Sequence, residues 1–340
     1  MRLVTVWDPL RAFRTSDRNL RDAAGKTVGG GGEMSHDCRL DMEWISTVQW
    51  QRFAEEGTDA HRLCTFPGGW LERYGDWVVW SRSRRPDAND DTDRMSGEVA
   101  ARFGFTPQGW FVRDVARRAQ DQRPARLISG KDPGSVDVRE WNLRYRVEPG
   151  GGYSSGLFLD QRLNRCRVLS LRPHRVLNLF AYTCSFSVCA ARSGASTLNV
   201  DVSKRALVRG KENFALNCID ASGGHRFLSE DVTKIVPRLA RRGDTFDLVV
   251  LDPPTFGRSP RGFFRIEDSL PGLVHICSHL LSPGGLLLVS SNYSHWSAAD
   301  LRKVCEAAVN GGEFRVTPGG RPPEIASGAV SWWIRRNSNV

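Results

Sequence analysis

The sequence lacks the patterns that mark membrane, secreted and zinc-ribbon proteins. None of its apolar runs approaches the roughly 20 residues that a membrane helix needs, and its N-terminal stretch has no apolar core followed by a small-residue cleavage site. Its 8 cysteines are scattered without a CxxC pair, which argues against both a zinc ribbon and a secreted disulfide framework. We therefore expect a cytoplasmic protein with reduced thiols and no membrane contact.

Two further site patterns are absent or incomplete. The dinucleotide fingerprint GxGxxG does not occur in the sequence, so a nicotinamide-dependent dehydrogenase is disfavoured. His275 and His279 have a metal-ligand spacing on a predicted helix, but no third ligand is evident. Because zinc sites use three or four protein ligands, we predict no metal site.

Length and positive charge are what the sequence does offer. Its 340 residues are enough for a catalytic domain of roughly 180 to 200 residues and a smaller module. Its 48 lysines and arginines exceed its 38 acidic residues and give a net charge of +10. A positive field concentrates nucleic acid near a protein surface, so RNA is a candidate partner, with solubilising charge as the alternative.

Composition divides the chain into three parts. Residues 1–34 end in a glycine run with little to bury and are predicted to be a disordered extension. Residues 35–140 are predicted to form a small mixed or β-rich module with a linker. This module should contain a strand at WVVWSR (77–82) and a helix near residues 112–122. Residues 141–340 are predicted to form the catalytic domain.

The last part alternates apolar runs with segments long enough for a covering helix. In EWNLRYRV, Trp141, Leu143, Tyr145 and Val147 alternate with polar residues, which predicts a half-buried strand. From Arg175 onward seven apolar runs follow, namely RVLNLF, STLNVD, HRFLSE, FDLVVLD, GLLLVSS, EFRVT and AVSWWIRR. This rhythm predicts a Rossmann-like α/β fold with a seven-stranded, mainly parallel sheet whose last two strands form an antiparallel hairpin.

Polar residues cluster where the predicted strands end, which is where open α/β sheets bind ligands. Asp201 ends the second strand about 20 residues after the first turn, where an acid can bind ribose hydroxyls. Asp231 follows the third strand. Asp252, Pro253 and Pro254 follow the fourth, and the prolines leave carbonyls without competing amide donors. For each residue alone, a helix cap or a simple strand end is the alternative.

Five longer runs carry a family resemblance. They are GLFLDQRLNR (156–165), VLNLFAYTCSFSV (176–188), VDVSKRALVRGKENFALN (200–217), FDLVVLDPPTF (246–256) and LLSPGGLLLVSSN (280–292). Together they resemble the bacterial 23S ribosomal RNA methyltransferases of the RlmI and RlmK/RlmL type. The resemblance implies a class I methyltransferase domain over residues 141–340, with S-adenosylmethionine as its cofactor. Cys184 departs from the pattern, because the family usually has glycine there.

The resemblance also implies roles for individual residues. The methionine part of the cofactor would lie against Asn178, Phe180, Ala181, Thr183 and Ser185. Asp201 would bind the ribose and Asp231 the adenine. The catalytic end of the site would consist of Asp252, Pro253, Pro254 and Phe256. Further candidates for cofactor binding are Asp160, Arg162 and Ser203.

The methylated atom is predicted from residue types at two strand ends. Methylation of pyrimidine carbon 5 needs a thiolate that adds to the ring, whereas Thr255 follows the prolines and Ser290, Ser291 and Asn292 end the fifth strand. N-methylation of a guanine in 23S ribosomal RNA or its large-subunit precursor is therefore the favoured hypothesis, with Phe256 stacking on an extruded base. The alternatives are 5-methylcytosine formation and a catalytically inactive RNA-binding or assembly protein.

A basic loop follows the diproline. It carries Arg258, Arg261 and Arg265, interleaved with Phe263 and Phe264. Steering of RNA phosphates is one interpretation of this loop, and a solvated arginine-rich loop with core-packing phenylalanines is the other.

Overall fold

The computed structural model describes most of the chain after residue 41. The described residues are 42–83, 92–115, 123–152, 154–259, 262–309, 311–325 and 327–338, without the side chains of 256–263. The predicted extension over residues 1–34 lies outside this part. Within the described residues, no helix is long and apolar enough to cross a membrane.

A six-stranded sheet forms the N-terminal module. Its strands, which are neighbours in chain order, are β1 (Glu43–Trp44), β2 (Ala60–Phe66), β3 (Gly69–Tyr74), β4 (Trp77–Arg82), β5 (Gly109–Asp114) and β6 (Arg126–Gly130). Helices α1 (Thr47–Glu55) and α2 (Thr92–Phe103) pack on one face, where Phe53 and Val99 join Leu71 and Trp80 in a buried cluster. The β-rich module and the strand at WVVWSR were correctly predicted.

The helix predicted near residues 112–122 is wrong in its first part. Val112 and Arg113 belong to β5, which pairs in parallel with β4 and antiparallel with β6. The sequence GWFVRD fits a strand because its valine and aromatic residues pack well on a pleated surface. Residues 116–122 of that prediction lie outside the described part.

A β-hairpin links the two parts of the chain. It consists of β7 (Val136–Glu140) and β8 (Leu143–Val147), joined by Trp141 and Asn142 with φ angles of 55° and 61°. Two consecutive positive φ angles define a type I′ turn, which matches the twist of paired strands. The single strand predicted from Glu140 onward is therefore wrong at its start, although its Leu143, Tyr145 and Val147 face is buried. The predicted domain boundary at 140/141 falls at this turn.

The second sheet has seven strands and confirms the predicted fold. In space their order is β11 (His225–Ser229), β10 (Ser196–Asp201), β9 (Arg175–Leu179), β12 (Phe246–Leu251), β15 (Leu281–Ser291), β17 (Val330–Arg336) and β16 (Phe314–Pro318). The first five are parallel, and the last two are antiparallel to their neighbours. Leu177, Val249 and Leu287 show no exposed surface because helices cover both faces of the sheet.

Six helices of the described residues accompany this sheet. They are α3 (Arg162–Leu171), α4 (Ser185–Arg192), α5 (Lys204–Leu216), α6 (Val232–Arg241), α7 (Ile266–His279) and α8 (Ala298–Ala308). A short 3-10 helix, Leu159–Gln161, precedes α3, and a small hairpin of β13 (Phe256–Ser259) and β14 (Gly262–Arg265) follows the diproline. Strand order reverses at β9, which has β10 on one side and β12 on the other. Ligands of open α/β sheets bind outside the carboxyl ends of strands at such a point.

Candidate active site

The loop after β9 has an unusual backbone. Phe180, Tyr182 and Cys184 have φ angles of 55°, 47° and 59°, a region that non-glycine residues avoid at a cost of roughly 1 kcal/mol or more each. The loop is held against β10, because the Ala181 amide donates to the Val200 carbonyl at 3.0 Å. Such strain concentrates at ligand sites. The loop leads into the N-terminus of α4, where backbone amides can face an anionic group.

The residues predicted to contact the methionine part of the cofactor lie in this loop or next to it. Asn178 is 2% exposed and donates to the Ser187 hydroxyl at 2.9 Å, which ties β9 to α4. Thr183 donates to the Gly156 carbonyl at 2.8 Å. Ser185, half-buried, is the first residue of α4. The structure therefore brings these residues together at one strand end, and their contact with the cofactor stays a prediction.

The Asp201 carboxylate is fixed at the end of β10. Its two oxygens accept the backbone amides of Tyr182 and Ser203, each at 2.8 Å. Burial raises its pKa, although these two hydrogen bonds act in the opposite direction. A carboxylate oxygen has two lone pairs, so an oxygen that accepts one amide can also accept a ribose hydroxyl. This arrangement fits the predicted nucleoside contact. The Ser203 hydroxyl itself caps α5 by accepting from the Ala206 amide at 3.2 Å.

Asp231 has a helix-capping role in the structure. Its Oδ1 accepts from the Thr233 amide at 2.9 Å and from the Thr233 hydroxyl at 2.7 Å, at the N-terminus of α6. The capping alternative considered for strand-end aspartates is thus present here. Adenine binding by this residue stays a prediction.

Cys184 is a buried thiol that stays protonated. Its side chain is fully buried, and burial raises the pKa of the thiol far above its ordinary value. A Cβ atom added to Gly210 of α5 would lie 2.5 Å from the Cys184 sulfur. Gly210 therefore provides the space that the larger residue needs. The positive φ of Cys184 explains why glycine suits this position, and the loop keeps that conformation with cysteine.

The Asp252 corner lies at the end of β12. The Ser290 hydroxyl of neighbouring β15 donates a short hydrogen bond to the Asp252 carboxyl. Burial raises the pKa of this carboxyl to about 6. Pro253 is buried, whereas Pro254 is exposed. Burial with a charge-assisted hydrogen bond is a common environment for catalytic acids and bases.

Asp160 lies close enough to Asp252 to affect the pKa of that carboxyl. It belongs to the short 3-10 helix, accepts from the Ala329 amide at 2.8 Å, and has a pKa that burial raises. Its negative charge adds to the rise in the pKa of Asp252. Two partly buried carboxyl groups in electrostatic contact would suit a cationic ligand such as a sulfonium.

Arg162 is engaged elsewhere. Its guanidinium forms an ion pair with Glu324 at 2.5 Å and lies 4.6 Å from the centre of the Phe53 ring in α1. Both charged side chains are almost completely buried. The structure therefore places Arg162 between α1 and the segment before β17, and its contact with the cofactor stays a prediction.

The basic loop is only partly described. The side chains of Phe256, Arg258 and Phe263, and the whole of Arg261, lie outside the described part. Of its other members, Phe264 is buried and packs 5.1 Å from the Phe180 ring, which joins this hairpin to the loop after β9. Arg265 is exposed at the start of α7.

One buried ion pair beside the site was missed from the sequence. Arg165 donates to both oxygens of Glu140 at 2.7 and 2.6 Å and to the Phe158 carbonyl at 2.8 Å. The side chains are 1% and 0% exposed. This pair joins α3 to the β7–β8 hairpin. The positive charge of Arg165 opposes the rise in the pKa of Asp252. The partners are 25 residues apart, so no local spacing could have indicated the pair.

The second sheet thus has a Rossmann-like α/β fold, with Asp201 and Asp252 at the carboxyl ends of the strands on either side of β9. The family model for S-adenosylmethionine-dependent methyltransferases matches residues 99–310. The chain belongs to this family, and the predicted cofactor, S-adenosylmethionine, is confirmed. The site fits it, because an acid at the second strand end and two carboxyls near the diproline provide acceptors for ribose hydroxyls and for positive charge.

Curated relatives are ribosomal RNA large subunit methyltransferases, which confirms the resemblance found in the sequence. One from Deinococcus radiodurans is 38% identical over 271 residues, covering 74% of this chain and 64% of that protein. Methyltransferase I from Aeromonas hydrophila is 32% identical and covers 76% and 67%. Methyltransferase K/L from Legionella pneumophila is 34% identical and covers 68% and 33%. The chain thus spans about two thirds of the first two relatives and a third of the last.

Solved structures share the fold. The S-adenosylmethionine-dependent methyltransferase from Agrobacterium tumefaciens superposes with a TM-score of 0.66 at 24% identity, covering 84% of this chain and 92% of that chain. A methyltransferase solved with S-adenosylhomocysteine gives a TM-score of 0.69 at 24% identity and covers 86% and 82%.

Proposed function

We propose that this protein N-methylates a guanine in the RNA of the large ribosomal subunit. The names of its curated relatives support this proposal, because they are ribosomal RNA large subunit methyltransferases. The net charge of +10 supports it as well, because a positive charge suits a polyanionic substrate. The choice of a nitrogen atom as the methyl acceptor rests on the residue types at the ends of β12 and β15.

Those two strand ends present oxygen atoms rather than sulfur. Thr255, after the diproline, donates to the Asn292 Oδ1 at 2.9 Å, and Ser290 donates to Asp252. Addition to a pyrimidine ring would require a thiolate. The described cysteines other than Cys218 are buried, among them Cys184 and Cys277, whose pKa values are raised far above the ordinary value. An amino nitrogen, by contrast, needs orientation and a hydrogen-bond acceptor.

Asp252 supplies that acceptor. Its ionised carboxylate can accept a hydrogen bond from the amino group of guanine and so direct the nitrogen towards the cofactor. S-adenosylmethionine, when bound, supplies an electrophilic methyl group. With a pKa of about 6, the Asp252 carboxylate is ionised at neutral pH and can take the proton that the nitrogen loses. Ser290 holds the carboxylate in place through its hydrogen bond.

Mass spectrometry of RNA nucleosides tests this proposal. Large-subunit RNA from cells with and without the gene should differ in one methylguanosine, and a plasmid encoding Asp252→Ala should fail to restore it. Loss of 5-methylcytidine would assign the reaction to the carbon-methylating alternative. Identical profiles, together with S-adenosylmethionine binding by calorimetry, would favour the inactive RNA-binding protein.

A further inference from the structure

Two asparagines at the C-terminal end of α5 form hydrogen bonds with β8. Asn213 lies in the last turn of the helix, and Asn217 is its C-cap residue. The Asn217 side chain accepts the Arg144 amide at 2.8 Å, and the Asn213 side chain accepts the Arg146 amide at 2.8 Å. In a hairpin, alternate residues of a strand direct their backbone groups away from the partner strand. The two side-chain amides therefore occupy the edge of β8 that faces away from β7.

Asn213 and Asn217 differ in the groups to which they donate. The Asn217 side-chain nitrogen donates to the Arg144 carbonyl at 2.7 Å and to the backbone carbonyl of Asn213 at 2.8 Å. The Asn213 side-chain nitrogen donates instead to the Thr183 carbonyl at 2.9 Å. Asn213 has no exposed surface, whereas Asn217 is half-buried. Asn213 thus joins β8 to the loop after β9, which consists of residues 180–184.

The Thr183 carbonyl belongs to the strained part of this loop. It shares a peptide unit with the amide of Cys184, whose φ angle is 59°. That amide donates to the Ala181 carbonyl at 2.7 Å. Because a peptide unit is planar, a rotation that relieved the positive φ would turn the carbonyl and the amide together. The hydrogen bond from Asn213 holds the carbonyl and therefore opposes this rotation.

Helix α5 also packs directly on this part of the loop. A Cβ atom added to Gly210 would lie 2.5 Å from the Cys184 sulfur. Gly210 and Asn213 are three residues apart in α5, and residues with this spacing lie on the same face of a helix. They therefore form one contact with the loop, in which Gly210 permits the close approach and Asn213 supplies the hydrogen bond.

The β7–β8 hairpin at the other end of this link is held on its opposite edge as well. The Asp59 amide, just before β2, donates to the Arg139 carbonyl of β7 at 2.9 Å. The Asp59 carboxylate accepts the Arg139 amide at 2.6 Å. The hairpin thus lies between the N-terminal module and α5, with hydrogen bonds on both edges. Asn213 therefore fastens the loop to a strand that is itself fixed in place.

We infer that Asn213 is a positioning residue for methyl transfer. It acts through the Thr183 carbonyl, by holding the loop after β9 in the conformation that binds S-adenosylmethionine. The apparent affinity for a ligand falls with the fraction of protein in the binding conformation, so loss of this link should weaken cofactor binding. The inference rests on the methyl transfer of the proposed function and on the predicted contact of this loop with the cofactor. It does not depend on the RNA or on the methylated atom.

Asn217 provides the matched control. Asn213→Ala and Asn217→Ala each remove a side-chain amide that bonds to β8 at the same end of α5. Only Asn213→Ala also removes the hydrogen bond to the loop. Both variants should have a lower Tm than wild type, because each leaves a backbone amide of β8 without its acceptor. The larger decrease is expected for Asn213→Ala, since Asn213 is the more deeply buried residue.

Calorimetry with S-adenosylhomocysteine separates positioning from general stability. It uses the full-length proteins at a temperature where circular dichroism shows wild type and both variants to be folded. Asn213→Ala should bind at least tenfold more weakly than wild type, whereas the affinity of Asn217→Ala should stay within twofold. Equal affinities of the three proteins, or equal losses in the two variants, would overturn the inference.

A second pair of variants covers the case in which Asn213→Ala does not fold. Asn213→Asp and Asn217→Asp keep the size of each side chain and an acceptor for the β8 amide. At neutral pH, however, the ionised carboxylate has no hydrogen to donate. Asn213→Asp should therefore also lose at least tenfold in affinity, and Asn217→Asp should lose less than twofold. Equal losses in this pair would overturn the inference as well.

The Cys184→Gly background tests whether Asn213 acts on the conformation of the loop. Glycine adopts a positive φ without the steric cost of a side chain, so the loop should depend less on Asn213. In this background the loss of affinity caused by Asn213→Ala should fall below threefold. An undiminished loss would overturn the inference. A protein that shows the expected pattern but methylates no RNA would keep the positioning role and reject the proposed function.

Discussion

Asp252→Asn should stabilise the cofactor-free protein, and the gain should grow with pH. Burial raises the pKa of this carboxyl from an ordinary 3.8 to about 6, so the folded protein resists its ionisation. A raised pKa contributes stability that is fully present below the unfolded-state pKa near 4 and is lost as the pH rises through 6. Asparagine keeps the shape and can still accept from Ser290, but it carries no charge to desolvate.

The magnitude follows from the size of the pKa shift. A shift of about two units corresponds to about 3 kcal/mol of unfolding free energy between pH 4 and pH 7.5. With an unfolding entropy of about 2.1 cal/mol/K per residue, this equals a Tm difference of about 4 °C. Thermal melts of Asp252→Asn and wild type at several pH values measure it directly. Methyl transfer should be lost in the same variant, since active sites trade stability for function.

Asp247, on the same strand, is the matched control. Partial burial acts to raise its pKa, but hydrogen bonds from the amides of Arg175 and His174 and from the Ser282 hydroxyl hold the pKa below its ordinary value. Such a group stabilises the fold above the unfolded-state pKa. Asp247→Asn should therefore destabilise at pH 7.5. If Asp252→Asn differs from wild type by the same amount at pH 4 and pH 7.5, the carboxyl is not desolvated and the reasoning is wrong.

Three further predictions concern the loop and its supports. Gly210→Ala should lower the free energy of unfolding by about 1–3 kcal/mol in denaturant melts, because its methyl group would meet the Cys184 sulfur. Adding Cys184→Gly should recover most of this loss, and an equal cost of Gly210→Ala in both backgrounds would contradict the explanation. Arg165→Met should destabilise by about 3–5 kcal/mol in the same melts by leaving Glu140 buried and unpaired, whereas a neutral result would show that the pair is hydrated. Asp201→Ala should weaken S-adenosylhomocysteine binding in calorimetry at least tenfold, and unchanged affinity would remove Asp201 from the site.

The second sheet could be predicted from the sequence because its signals are local. Buried parallel strands are continuous apolar runs, and each of the runs from RVLNLF to AVSWWIRR contains an observed strand. The strand-end positions of Asp201 and Asp252 followed directly from those runs. The prediction that both bind one ligand rests on the rule that ligands bind where the strand order reverses.

The features that were missed depend on turns or on long-range pairing. The turn at Trp141 and Asn142 contains no glycine. It also falls within a stretch where apolar and polar residues alternate, so the sequence reads as one continuous strand. Asp231 could be a ligand or a cap by sequence, and only the contact with Thr233 shows the cap. Arg165 and Glu140 pair across 25 residues, and no spacing in the sequence relates them.

A crystal structure of the full chain with S-adenosylhomocysteine tests the central claim most directly. The ribose hydroxyls should contact the Asp201 carboxylate, and the sulfur should lie in the cleft between the loop after β9 and the Asp252 corner. A ligand bound elsewhere, or a sulfur directed away from Asp252, would contradict the account.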